Sequence, residues 1–130
     1  MIIQRSIDIE EEVRKALADY INAYCRPLPR KYKLPCILIQ RVGGTDRNTI
    51  DTFTVVLDAR AREDHEADEY LRTAVGILKE AAKNQTTAIR YVEVNTSGSW
   101  GSDPVRPDLA MCSARLNITA HQETASIKEA

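Results

Sequence analysis

The chain has 130 residues, 43% hydrophobic and 28% charged, the size and balance of one soluble globular domain. Eighteen Lys and Arg against nineteen Asp and Glu leave a formal charge of −1, without the positive excess that sequence-independent nucleic-acid binding draws on. No apolar run approaches the ~20 residues that cross a bilayer, so no membrane partner is expected.

The opening "MIIQRSIDIEEE" turns acidic at once and lacks a signal peptide's apolar core, which predicts assembly in the cytoplasm. Asp8 with Glu11 makes a carboxylate-led helix start, and Glu10, Glu11 and Glu12 suit the positive end of the dipole. Ile9, Val13, Ala16, Leu17, Tyr20, Ile21 and Tyr24 recur at helical spacing, predicting a helix over 8–25 that Pro27 and Pro29 end. "RPLPRKYKLP" follows as a rigid connector carrying Arg26, Arg30, Lys31 and Lys33.

Residues 36–42 read as a first strand, and 43–50 as a polar turn opening on Gly43 and Gly44. Residues 51–61 alternate Phe53, Val55, Leu57 and Ala59 against Thr52, Thr54, Asp58 and Arg60, predicting a second strand. Asp51 and Asp58 are placed to pair with Arg41 or Arg60 across the ladder. A helix is expected over 63–83, with Ala67, Tyr70, Leu71, Ala74, Val75, Leu78 and Ala81 on its apolar face. Residues 87–95 form a third strand, and 96–107, "TSGSWGSDPVRP", a loop holding the only tryptophan, Trp100. A fourth strand is expected over 109–120, and 121–130 as a flexible tail.

These elements predict a single α+β domain over 1–120. The expected architecture is a two-layer sandwich in the order αββαββ, a four-stranded, mainly antiparallel sheet with both helices on one face.

Catalytic chemistry has no visible residues. A phosphate loop requires its glycines to lead into a helix, whereas Gly43-Gly44 lead into a strand, so the pair reads as a hairpin bend. His65 and Glu69 lie one helical turn apart, but zinc would need further ligands, and an acidic first turn already explains them. Cys25, Cys36 and Cys112 have no CxxC spacing and read as free thiols. No enzyme activity, metal or cofactor is therefore expected. Trp100 either anchors a partner or folds back on the sheet edge. With Gly98 and Gly101 beside it, and Arg41, Gly43, Gly44 and Arg47 in the other long turn, it forms the candidate interface.

The sequence "QRVGG", then "IDTFTVVLDARA", an Ala-rich helix, "YVEVNTSGSWGSDP" and a last alternating strand resembles the tail terminator proteins of long-tailed bacteriophages. The resemblance spans roughly residues 6–120, and the order of these motifs carries it. One departure is the absence of an aromatic from Leu109 to Ala120. The resemblance implies a structural protein at the neck end of the tail in the virion. It implies a hexameric ring that caps the tail tube protein, offers its other face to the head–tail connector, and lets DNA pass without binding it. The alternatives are another head–tail connector or tail-completion protein, or a monomeric nucleic-acid- or ligand-binding domain using Arg26, Arg30, Lys31 and Lys33.

Overall fold

The structure, a computed structural model, describes residues 1–47 and 50–130; of Arg47 it describes the backbone alone. Part of the turn expected over 43–50, and the Arg47 side chain, therefore lie outside the described residues. The elements are β1 (Ile2–Arg5), α1 (Ile9–Leu17), β2 (Ala23–Cys25), β3 (Cys36–Arg47), β4 (Ile50–Ala61), α2 (Asp64–Asn84), β5 (Ile89–Ser102), β6 (Ala110–His121) and β7 (Glu123–Ser126).

They build a five-stranded mixed sheet in the order β2-β3-β4-β6-β5 and a separate two-stranded sheet, β1-β7. The expected four-stranded sheet in the order αββαββ is thus corrected. Its four strands are present and antiparallel to their neighbours, but β2 adds a parallel strand, and β1 with β7 adds a ribbon.

Each addition has a physical cause. α1 starts as read, with the Asp8 carboxylate accepting the Glu11 N–H, but it stops at Leu17 rather than Cys25. At Asn22 the chain is pulled away from the helix axis. Its N–H donates to the Tyr70 hydroxyl on α2, its carbonyl accepts the Ile37 N–H, and its side chain donates to the Pro35 carbonyl. Residues 23–25 then pair with residues 37–39. Backbone groups on the edge of β3 gain partners, and this outweighs a helical pattern in Tyr20 and Tyr24.

The expected flexible tail is corrected in the same way. β7 aligns Glu123 to Ser126 with Arg5 to Ile2, and Gln4 donates to the Thr124 hydroxyl. The loop expected over 96–107 is also shortened, because β5 continues to Ser102 beside β6.

One core lies between the helices and one face of the sheet. Ile9, Val13 and Leu17 of α1 meet Leu71, Ala74 and Leu78 of α2 over Phe53, Val55, Leu57, Leu116 and Ile118. Alternation along β4 sends Asp58 and Arg60 to the other face, where both are nonetheless buried. Leu71 is wholly enclosed, so Leu71→Ala is expected to lose about 2–5 kcal/mol in urea denaturation. A loss under about 0.5 kcal/mol, the usual surface value, would contradict that placement.

Candidate functional site

Gly43 and Gly44 sit inside β3, not in a loop. The register of β3 against β4 slips between Arg41 and Gly43, leaving Val42 as an extra, half-exposed residue. This is a β-bulge, which bends a strand while keeping its pairing. Gly44 has φ +147°, and a Cβ there would stand 2.4 Å from the Thr52 carbonyl oxygen on β4. Only glycine fits that approach. Around Gly43 a Cβ would meet nothing within 4 Å. Gly44→Ala is therefore expected to destabilise by more than about 1 kcal/mol, with Gly43→Ala close to neutral by comparison. Equal denaturation midpoints for the two variants would refute the bulge as the reason for the glycine pair.

Arg41 is committed within the subunit. Its guanidinium lies 4.9 Å over the centre of the Phe53 ring, a cation–π contact. Its backbone N–H donates to Glu10 Oε2 at 3.0 Å, and its carbonyl accepts from Arg26 Nη2 at 3.3 Å. Arg26 also binds Glu10 at 2.7 Å. Desolvation raises the Glu10 pKa, but the bonds from Arg26 and the Arg41 N–H outweigh it and hold the carboxyl below its ordinary value. Where β2 stops, these side chains close the edge of β3. From Gly43 to Asp46 no described strand lies on that side.

Trp100 lies in β5, paired with Cys112 of β6 rather than in a loop. Paired residues share a face, so Trp100 stands on the helix side of the sheet at its outer edge. It is 53% exposed. Gly98 has φ +73° within the irregular stretch between Thr96 and Ser99, where a left-handed backbone favours glycine. Gly101 faces the other way, and a Cβ there would lie 3.1 Å from Met111 Cε.

The two groups of candidate residues are not brought together. Gly44 pairs with Phe53 and Trp100 with Cys112, which in turn faces Ala59. Six residues along the strands and three strand spacings across separate them, about 20 Å by 14 Å. They occupy opposite edges and opposite ends of one sheet.

The basic connector does not form a single patch, since Arg26 is held by Glu10 while Arg30 borders a pocket. Among the described residues, Asp58 and Arg60 have partners other than the expected ladder pairs. Asp58 accepts from Gln40 at 2.6 Å and from Ser113, and Asp51 accepts from Gln122 at 3.0 Å. Arg60 turns instead to Asp103, Nε to Oδ2 at 2.8 Å, both side chains more than nine-tenths buried. Asp103 Oδ1 accepts the N–H groups of Val105 and Arg106. The pair borders a cavity of about 470 Å³ between the connector and the 103–109 loop. Sequence reading missed it; the available signal was a lone arginine set between two alanines, Ala59 and Ala61, at the end of a strand.

Burial pushes the Cys36 thiol up to about 11 and raises Cys112 and Cys25, so none is primed as a nucleophile. Among the described residues no group of three or more His, Cys, Asp or Glu is placed to hold a metal ion. His65 faces Glu63 at 3.4 Å, both exposed. No described helix is long and apolar enough to cross a membrane. Neither a protein-family model nor a curated protein matches the chain.

Proposed function

We propose that the protein is a structural assembly subunit that closes into a ring on the tube of a phage tail, as the terminators it resembles do. The observation that carries this reading is the pair of unlike open edges on one sheet. Among the described residues, β5 has no strand outside it, and β3 has none on its β2 side beyond Ile39. A ring that closes by rotation joins two different surfaces, front to back, around the circle. Edges with unpaired N–H and C=O groups invite such pairing, and leaving them open risks aggregation. The bend at Gly43-Gly44 sets the direction of one edge, and Trp100 supplies an apolar anchor on the other. A net charge of −1 suits a bore through which DNA slides.

Native mass spectrometry across a concentration series, checked by negative-stain images, is the deciding experiment. Hexamers with a central hole, and tail tubes capped at one end, are the expected result. A monomer at every concentration that neither forms rings nor binds tubes would overturn the reading. Salt-dependent retention of DNA by that monomer would favour the nucleic-acid-binding alternative.

A further inference from the structure

We propose that the pocket between the connector and the 103–109 loop binds an organic carboxylate, which the Arg60 guanidinium receives against apolar walls. Among the described residues, Arg60 makes one hydrogen bond, from Nε to Asp103. Its Nη1 is buried and has no partner among the described residues. A guanidinium buried with a donor unmet is costly; Nη1 offers no surface to the pocket as it stands, so an acceptor meets it and removes that cost only with a shift of the pocket wall.

Charge counting favours a single negative charge on the ligand. Arg60 is balanced by Asp103, and Arg106 by Asp108 at 3.0 Å. Arg30, which borders the same cavity, has no ion pair among the described residues. One positive charge is left over. A phosphate would draw on several backbone N–H groups, but those of Val105 and Arg106 already serve Asp103. The planar end of a guanidinium fits a planar carboxylate.

The walls specify the rest of the ligand. Leu28, Pro29, Tyr32 and Val105 line the cavity, and Val105 is 83% exposed. An apolar or aromatic body attached to the carboxylate would cover them. Such a group occurs on a free small acid, or on a Glu or Asp side chain between apolar residues of a polypeptide. The proposal stands apart from ring formation, because it concerns the isolated subunit.

The test is NMR titration of the ¹⁵N-labelled protein, following the arginine Nε–H signals and the amides of Val105 and Arg106. The probes are phenylacetate, phenylacetamide, inorganic phosphate, and capped Leu-Glu-Leu and Leu-Gln-Leu peptides, all at matched ionic strength. Phenylacetate or the Glu peptide is expected to shift these signals saturably. The neutral counterparts and phosphate should bind at least about tenfold more weakly, the equivalent of 1.4 kcal/mol. Stronger binding of the Glu peptide assigns the site to a polypeptide, and stronger binding of phenylacetate to a free acid. Arg60 stays in place, because its loss would strip Asp103. Arg30→Gln should weaken binding several-fold, and Val105→Asp should abolish it, with the remaining amide signals unmoved. No saturable shift with either acid, equal binding of the amides, or tighter binding of phosphate would each overturn the proposal.

Discussion

Replacing Asp103 with alanine is expected to destabilise the domain by about 3–5 kcal/mol, the cost of removing one partner from a buried ion pair. Asp103 is 5% exposed and Arg60 7%. Without the carboxylate, Arg60 loses the one hydrogen bond it makes among the described residues, where Nη1 is already unmet. Val105 and Arg106 lose the acceptor that orders the turn into the 103–109 loop. Asp103→Asn would keep an acceptor but not the charge, and should fall between wild type and alanine. The pair also predicts a pH dependence. Desolvation raises the Asp103 pKa, but the Arg60 bond and two backbone N–H groups outweigh it, so the folded value lies below the ordinary one. A depressed carboxyl contributes fully above its unfolded pKa, about 3.9, and its contribution fades as pH falls through the folded value. Glu10, also depressed, gives both proteins the same acid sensitivity and cancels from their difference. Urea denaturation should therefore show a wild-type advantage that is constant from about pH 8 to 5.5 and shrinks below about pH 4. A difference under about 0.5 kcal/mol at pH 7, or one that persists unchanged in strong acid, would remove the pair as a source of stability.

The long apolar stripes were legible in the sequence because burial alone determines them. Leu71, Leu78, Phe53, Leu57 and Ile118 are enclosed where their periodicities put them. The Asp8 cap was readable for a similar reason: it is local chemistry, one carboxylate three residues from the N–H it accepts. What failed was pairing decided by distant residues. Ala23–Cys25 carries too few residues to show a period, and joins the sheet because Ile37–Ile39 offers an unfilled edge. β7 alternates Thr and Ser with Glu and Ala, so its pairing with β1 leaves no apolar trace. The turn formers of 96–102 misled in the opposite sense. Gly98 at φ +73° is absorbed as an irregularity within β5, and the strand continues past it to Trp100. The candidate interface residues that the structure describes, Arg41, Gly43, Gly44, Gly98, Trp100 and Gly101, therefore lie in strands and not in turns. Strand edges replace the expected loops. Arg41 also has contacts within the subunit, its guanidinium over Phe53 and its backbone bonded to Glu10 and Arg26.

Trp100→Ala should leave the subunit folded and abolish the proposed ring. In the subunit about half of the indole is already covered, at the helix-side end of β5 beside Cys112. Removing it should cost folding only about 1 kcal/mol, since little additional apolar surface is lost from the core. Assembly is more sensitive. A tryptophan at the centre of a contact commonly carries about 2 kcal/mol or more, and a hexamer repeats each contact around the circle. A loss that is minor in one subunit then becomes decisive for closure. The edge position sharpens the expectation, because a neighbour pairing along β5 would lie directly against the indole. Gly101, with its Cβ position already facing Met111, leaves the opposite face of that strand without a competing side chain. Trp100 is the only tryptophan, so its fluorescence reports this site alone. Emission should move to shorter wavelength as wild-type subunits assemble or meet the tube, and tails grown with the variant should be of uncontrolled length. An unshifted spectrum together with intact rings from the variant would place Trp100 in the subunit's own packing, and the contact would then have to be sought along β3 from Gly43 to Asp46.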